Sequence, residues 1–191
     1  MNKSYLSRKE QIILSAIDII DELGIDGLSI RELAKKENVT EGALYRHFKS
    51  KTDIIIEVLK YYSQYDINII NTIKKNKFDS KAGIIFFIKA FLEYYENYPE
   101  ITSISCSYES LLYEPAIEKE VLQIINRRLN FLITIIEEGK KRGEIKLELE
   151  SRDIADTILG YFDYMIFMWR VEKYKFSLKE KIINTIDILL K

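Results

Sequence analysis

The chain has 191 residues, 47% of them apolar and 31% charged, enough to bury a substantial core as one or two domains and too apolar to stay disordered. Its formal charge of -1 and pI near 6.0 give no global attraction to nucleic acid, so polyanion binding has to come from a local face. One Cys (Cys106) and one His (His47) exclude an internal disulfide and a thiolate/imidazole metal cluster, and no apolar run has the length of a transmembrane helix; a cytoplasmic protein with no cofactor, metal or membrane partner is expected.

Only 7 Gly and 2 Pro leave long helices uninterrupted. Ser7 opens the first helix through a capping box with Glu10, Ile12, Ile13, Ala16, Ile17, Ile20 and Leu23 give it an apolar stripe, and Gly24 ends it. Ser29 and Glu32 form a second box ahead of Ile30, Leu33 and Ala34. Glu37-Asn38-Val39 reads as a tight turn because Asn tolerates left-handed backbone angles. Thr40 then caps a third helix that turns Leu44 and Phe48, four apart, toward the core.

Ser50 starts a helix with Asp53 in its first turn, and the stripe Ile54, Val58, Tyr62 or Tyr65, and Ile69 carries it for about 20 residues, about 30 Å at 1.5 Å per residue. Such a rod is a candidate lever between two domains. KKNKFDS, residues 74–80, reads as a linker, followed by a helix over 81–97 and a short one that begins at Pro99. Pro115 introduces a long helix to about Lys141, GEIKLELES is a linker, and the last two helices cover 152–172 and 178–190, the latter capped by Ser177 with Glu180. KLELE alternates like a strand but has no second strand to pair with. The expected fold is all-α, with about nine helices.

The run from Gly24 to Lys51 carries the chemistry. Two capped short helices and a tight turn place a helix where it can enter a DNA major groove, with Thr40, Glu41, Gly42, Ala43, Tyr45, Arg46 and His47 left outward or sideways. Gly42 and Ala43 are small enough for close approach to base edges, and Tyr45, His47 and Lys51 can reach phosphates. Residues 1–60 carry ten Lys/Arg against ten Asp/Glu, so the attraction must come from a selected set. The candidates are Lys3, Arg8, Lys9, Arg31, Lys35, Lys36, Arg46, Lys49 and Lys51, with Ser29 near the phosphate backbone.

The segment VTEGALYRHFKSK resembles the DNA-binding domain of the TetR family of bacterial transcriptional regulators, through Val39, Thr40, Gly42, Leu44, Tyr45, His47, Phe48 and Lys51. Gly24, Ser29, Leu33 and Ala34 match the family pattern upstream; Asn38 stands where the family usually has Gly. The resemblance covers about the first 50 residues and implies a three-helix DNA-binding domain over 1–50 and a helical effector-binding and dimerisation domain over 51–191. It further implies a homodimer joined by its last two helices, a palindromic double-stranded operator, and release by a small molecule. The segment from Glu137 to Leu178, with Glu138-Gly139, Gly143-Glu144-Ile145, Gly160, Asp163, Trp169 and Tyr174, is similar to the family's regulators of fatty-acid metabolism that respond to long-chain acyl-CoA.

The second domain is rich in aromatics at helical spacing, which are core in most helical proteins and here are also candidates for an apolar effector cavity. The expected lining set is Phe91, Tyr95, Tyr98, Tyr108, Phe131, Ile135, Phe162, Met165 and Trp169, and the expected dimer interface holds Ile154, Ile158, Tyr161, Ile182, Ile186 and Leu189. The function that follows is a ligand-responsive repressor released by an apolar effector such as long-chain acyl-CoA. Its alternatives are a regulator that answers an aromatic or cationic drug or acts as an activator, and a helical adaptor that binds no DNA. An enzyme is not expected: the only imidazole lies in the recognition helix, and there is no nucleophile–His–acid pattern or Gly-rich phosphate loop.

Overall fold

Local caps decide where most of the helices begin. In the structure, a computed structural model that describes residues 6–146 and 148–190, α1 (Arg8–Gly27) starts at Ser7, whose hydroxyl accepts from the Glu10 amide at 3.3 Å while the Glu10 carboxylate accepts from the Ser7 amide at 2.8 Å. The Ser7 hydroxyl and amide both favour the ionised carboxylate and hold Glu10 below its ordinary pKa. Gly24, at φ 74, breaks the regular helix where the sequence placed its end, and one further turn carries the chain to Gly27.

Helix α2 (Ile30–Lys36) is capped by Ser29, which accepts from the Glu32 amide at 3.1 Å, and α3 (Glu41–Leu44) by Thr40, which accepts from the Ala43 amide at 3.2 Å. Between them Asn38 adopts the left-handed φ of 52 and the Val39 amide donates back to the Ala34 carbonyl at 3.0 Å. Helix α4 (Lys51–Tyr62) begins at Ser50, which accepts from the Asp53 amide at 3.1 Å.

The expected continuous lever is two helices. Helical angles lapse at Ser63, and α5 (Asp66–Asn76) starts afresh with a fully buried Asp66 in its first turn. Arg128 meets both carboxylate oxygens of Asp66 at 3.0 Å, so the helix that starts after the break carries a buried anion already paired. The expected linker at 74–80 begins inside the last turn of α5, which runs to Asn76; Lys77, at φ 50, turns the chain and Asp79 caps α6 (Ser80–Asn97).

A 3-10 turn (Pro99–Thr102) leads through two single-turn helices, α7 (Ser103–Cys106) and α8 (Tyr108–Leu111), to α9 (Pro115–Lys141), α10 (Ser151–Val171) and α11 (Leu178–Leu189). The fold is all-α, with eleven α-helices among the described residues. The number exceeds nine because of the break after Tyr62 and because 103–111 forms separate turns. There the hydroxyls of Ser103, Ser105 and Ser107 donate to carbonyls three or four residues earlier, at 2.7, 3.1 and 2.8 Å, in competition with helical bonding. No described helix is long and apolar enough to cross a membrane.

Packing groups the chain into two units, 1–64 with 99–123, and 65–98 with 124–191, a division that is not sequential. In the first, α1 is the centre: Ile12, Ile13, Ala16, Ile17 and Ile20 are buried, and α2, α4 and the Pro99–Cys106 turns pack on it, so that Ile101 and Ile104 complete its core. In the second, α6 packs on α5 and α11, and α10 on α11, around Phe87, Phe91, Tyr95, Leu132, Ile158, Phe162 and Ile182.

Candidate nucleic-acid interface and effector cleft

The recognition segment is held from below and open above. Leu44 and Phe48 are both 1% exposed, whereas Thr40, Glu41, Gly42, Tyr45, Arg46, His47 and Lys49 are exposed and Ala43 is half-buried. Beyond the four residues of α3 the turn continues, with the Tyr45 amide on the Glu41 carbonyl at 3.0 Å and the Phe48 amide on the Leu44 carbonyl at 3.0 Å. The outward set expected from spacing is therefore outward in the fold, around a helix that presents little bulk at Gly42.

The cations around this face divide sharply. Arg8 pairs with Glu37 at 2.7 Å, Lys9 with Glu57, Lys35 with Glu32 at 3.9 Å, and Lys36 with Glu22 at 2.9 Å. Arg31, Arg46 and Lys49 are exposed and have no ion-pair partner among the described residues. Lys51 is half-buried and donates to the Ile25 carbonyl at 2.9 Å, with two of its three N–H groups left over. Ser29 is half-buried as the cap of α2, with its own O–H still available to donate. Lys3 lies outside the described residues.

The effector region departs from the expected one. Phe91, Tyr95, Phe162, Met165 and Trp169 are core residues: rings of Phe91 and Tyr95 lie 6.2 Å apart, those of Tyr95 and Phe162 6.0 Å, and the Trp169 indole donates to the Phe176 carbonyl at 2.9 Å. Their helical spacing reported packing. Tyr98 is half-buried at the end of α6, and Tyr108 belongs to the first unit, edge-on to Tyr62 at 6.1 Å.

The second unit's open cavity lies instead between α5 and α9. It has a volume of about 740 Å³, an apolar floor of Ile67, Ile70, Ile73, Phe78, Phe131 and Ile135, and a polar border of Lys74, Lys77, Arg127, Asn130, Thr134, Glu138 and Arg142. Of the expected lining set, Phe131 and Ile135 are there. The others went unseen although Ile67, Ile70 and Ile73 recur every three residues, because 50–70 read as one rod and 74–80 as a linker.

Near one end of this cleft lies the buried ion pair. Arg127 approaches Asp66 at 3.7 Å, beside the bidentate Arg128, whose guanidinium stacks over Phe91 at 4.4 Å. Asp163 is exposed as a residue, yet its carboxyl is largely desolvated, which pushes its pKa up to about 6 against the pull of Arg128.

The expected dimer residues are spent inside the protomer. Ile154, Ile158, Ile182 and Ile186 are at most 1% exposed, because they close α10 and α11 onto the unit's own core. Tyr161 and Leu189 stay half-buried, with the Tyr161 hydroxyl 3.0 Å from that of Thr185. The apolar surface left open is Tyr164, Phe167 and Val171 on α10 and Ile188 on α11.

Known proteins share this arrangement. The family model described as bacterial regulatory proteins, tetR family, matches residues 12–58, and that of the YsiA-like protein C-terminal region matches 67–191. The fatty acid metabolism regulator protein of Bacillus subtilis is 26% identical over 94% of this chain and 92% of its own length. The nucleoid occlusion factor SlmA of Klebsiella pneumoniae is 25% identical over 89% of this chain and 86% of its own. Among solved structures, the transcriptional regulator FadR from Bacillus subtilis in complex with stearoyl-CoA superimposes with a TM-score of 0.81 at 26% identity, over 96% of this chain and 97% of that one. With the capped helix pair and turn of residues 29–48 ahead of a helical C-terminal region that matches over its whole length, the chain belongs to the TetR family of DNA-binding transcriptional regulators.

Proposed function

We propose that the chain is a repressor that binds a palindromic operator as a homodimer and leaves it when a long-chain apolar effector, an acyl-CoA, enters the cleft between α5 and α9. The observation that carries the effector reading is the cleft itself, with six apolar side chains on its floor. An alkyl chain gains about 0.8 kcal/mol for each CH2 it buries there, which makes chain length the recognised variable. Similarity to the Bacillus subtilis regulator in complex with stearoyl-CoA supports the same ligand class. The second copy would cover Tyr164, Phe167, Val171 and Ile188, and two-fold symmetry then sets two α3 segments about one helical turn of DNA, or a multiple of it, apart.

Fluorescence anisotropy with DNA from the promoter regions flanking the chain's own gene tests the reading. Sequence-selective binding that palmitoyl-CoA or stearoyl-CoA reverses at micromolar concentration, and octanoyl-CoA does not, is the expected result. Release by an aromatic or cationic drug instead would replace the effector, and an absence of selective DNA binding would defeat the proposal.

A further inference from the structure

Gly83 is buried near the start of α6 without a positive φ, in a helix where alanine would be the better former. What the glycine supplies is room. A Cβ at this position would stand 2.5 Å from Ile135 Cδ1 and 3.1 Å from Ile73 Cγ2, whereas one at Gly160 would meet nothing within 4 Å. Ile73 of α5 and Ile135 of α9 belong to the floor of the cleft, so both seat methyl groups in the space that Gly83 leaves behind it. The floor also descends toward them along α5: Ile67 is exposed, Ile70 half-buried and Ile73 buried.

Helix α6 is held against retreat from an added side chain. The Ser80 amide donates to the Glu144 carboxylate at 2.7 Å, and Arg142 donates to the Ser80 hydroxyl at 2.8 Å. One turn from Ile135 on α9, Gly139 admits Ser80 so closely that a Cβ there would stand 2.6 Å from the Ser80 Cβ. With α6 fastened and the interior close-packed, the open volume into which Ile73 and Ile135 can be displaced is the cleft. We propose that Gly83 is a positioning residue that determines effector chain length: by seating the two isoleucines it sets the depth of the cleft, and the last carbons of the longest tail that fits rest over them. The inference rests on the effector reading above and adds the residue that limits the tail.

Titration calorimetry on the full chain, with lauroyl-CoA, palmitoyl-CoA and stearoyl-CoA at sub-micellar concentration, reads that depth. Each CH2 that loses its seat costs about fourfold in affinity, so Gly83→Ala should weaken stearoyl-CoA about tenfold or more and lauroyl-CoA about twofold or less. Ile135→Val removes the Cδ1 that the new methyl would meet, so Gly83→Ala/Ile135→Val conserves volume and should restore the affinity for stearoyl-CoA. If Gly83→Ala alone does not fold, Ile135→Ala reads the same floor from the cleft side and should raise the preference for stearoyl-CoA over lauroyl-CoA about threefold or more. An equal loss at every chain length in Gly83→Ala, no restoration by Ile135→Val, or a preference that Ile135→Ala leaves unmoved makes Gly83 a packing residue only. Any of these overturns the inference and leaves the effector reading standing. Failure of all three acyl-CoAs to bind the unsubstituted chain removes both.

Discussion

Arg31, Arg46 and Lys49 around α3, and Lys74 and Lys77 beside the cleft, are the same chemical device set on different floors. Around α3 the cations flank Thr40, Gly42 and Ala43, a slim polar helix surface that can lie against base edges. In the cleft they flank isoleucine and phenylalanine, which DNA has no means to cover. Exposed charge favours anions in both places, and the floors beneath it differ, a slim helix surface in one and an apolar cleft in the other. The contrast also depends on which cations are already spent, since a paired Arg is part of the fold before it is part of any site.

The strongest way to break that comparison is to unpair a spent cation. Asp66 is fully buried and takes Arg128 through two hydrogen bonds of 3.0 Å. Asp66→Ala leaves a buried guanidinium without its anion and should cost about 3–5 kcal/mol in urea unfolding. Lys36→Ala, which removes the surface pairs to Glu22 and Asp18, should cost about 0–1 kcal/mol. If both variants unfold at the same urea concentration, the division into spent and available cations is wrong.

An intermediate effect separates the two kinds of exposed cation on the candidate DNA-binding face. Arg46 lies two residues past Leu44, the last residue of α3, and Lys49 just past the buried Phe48. Arg46→Ala should weaken operator binding by about 1–3 kcal/mol and relax preference at one base position of each half-site, whereas Lys49→Ala should weaken all sequences alike and lower the salt slope by about 1. Anisotropy titrations over a set of half-site substitutions and salt concentrations read both. A uniform loss for Arg46→Ala would make it another phosphate anchor and reduce the face to backbone contacts plus the helix surface itself.

How legible each region was in the sequence follows from the range of the interactions that build it. Ser7, Ser29, Thr40 and Ser50 bond to amides three residues on, so the caps, the Asn38 turn and the inward pair Leu44 and Phe48 could all be read from local spacing. The cleft is lined by α5, whose buried Asp66 pairs with Arg128, 62 residues away, and no local pattern contains that pair. A still longer separation hides the return of Ile101 and Ile104 to the core of α1. Aromatic periodicity alone does not separate core from cleft: Phe91, Tyr95 and Phe162 are buried away from the cleft, whereas Phe131 is buried and lines it.

Lys51 lies between the two classes of cation and gives the finest test. The sequence placed it as a phosphate anchor, and the fold fastens its ammonium to the Ile25 carbonyl at 2.9 Å, just past the break at Gly24. One N–H is then structural and two remain to meet a phosphate, from a side chain whose position is already fixed and which therefore loses little freedom on binding. Lys51→Met keeps most of the apolar stem and removes both roles. It should lower stability by about 0.5–1.5 kcal/mol, the value of one hydrogen bond, and lower the salt slope of DNA binding by about 1. A stability loss with an unchanged slope would confine Lys51 to holding the end of α1, and the anionic contacts of this face would then fall to Arg31, Arg46 and Lys49.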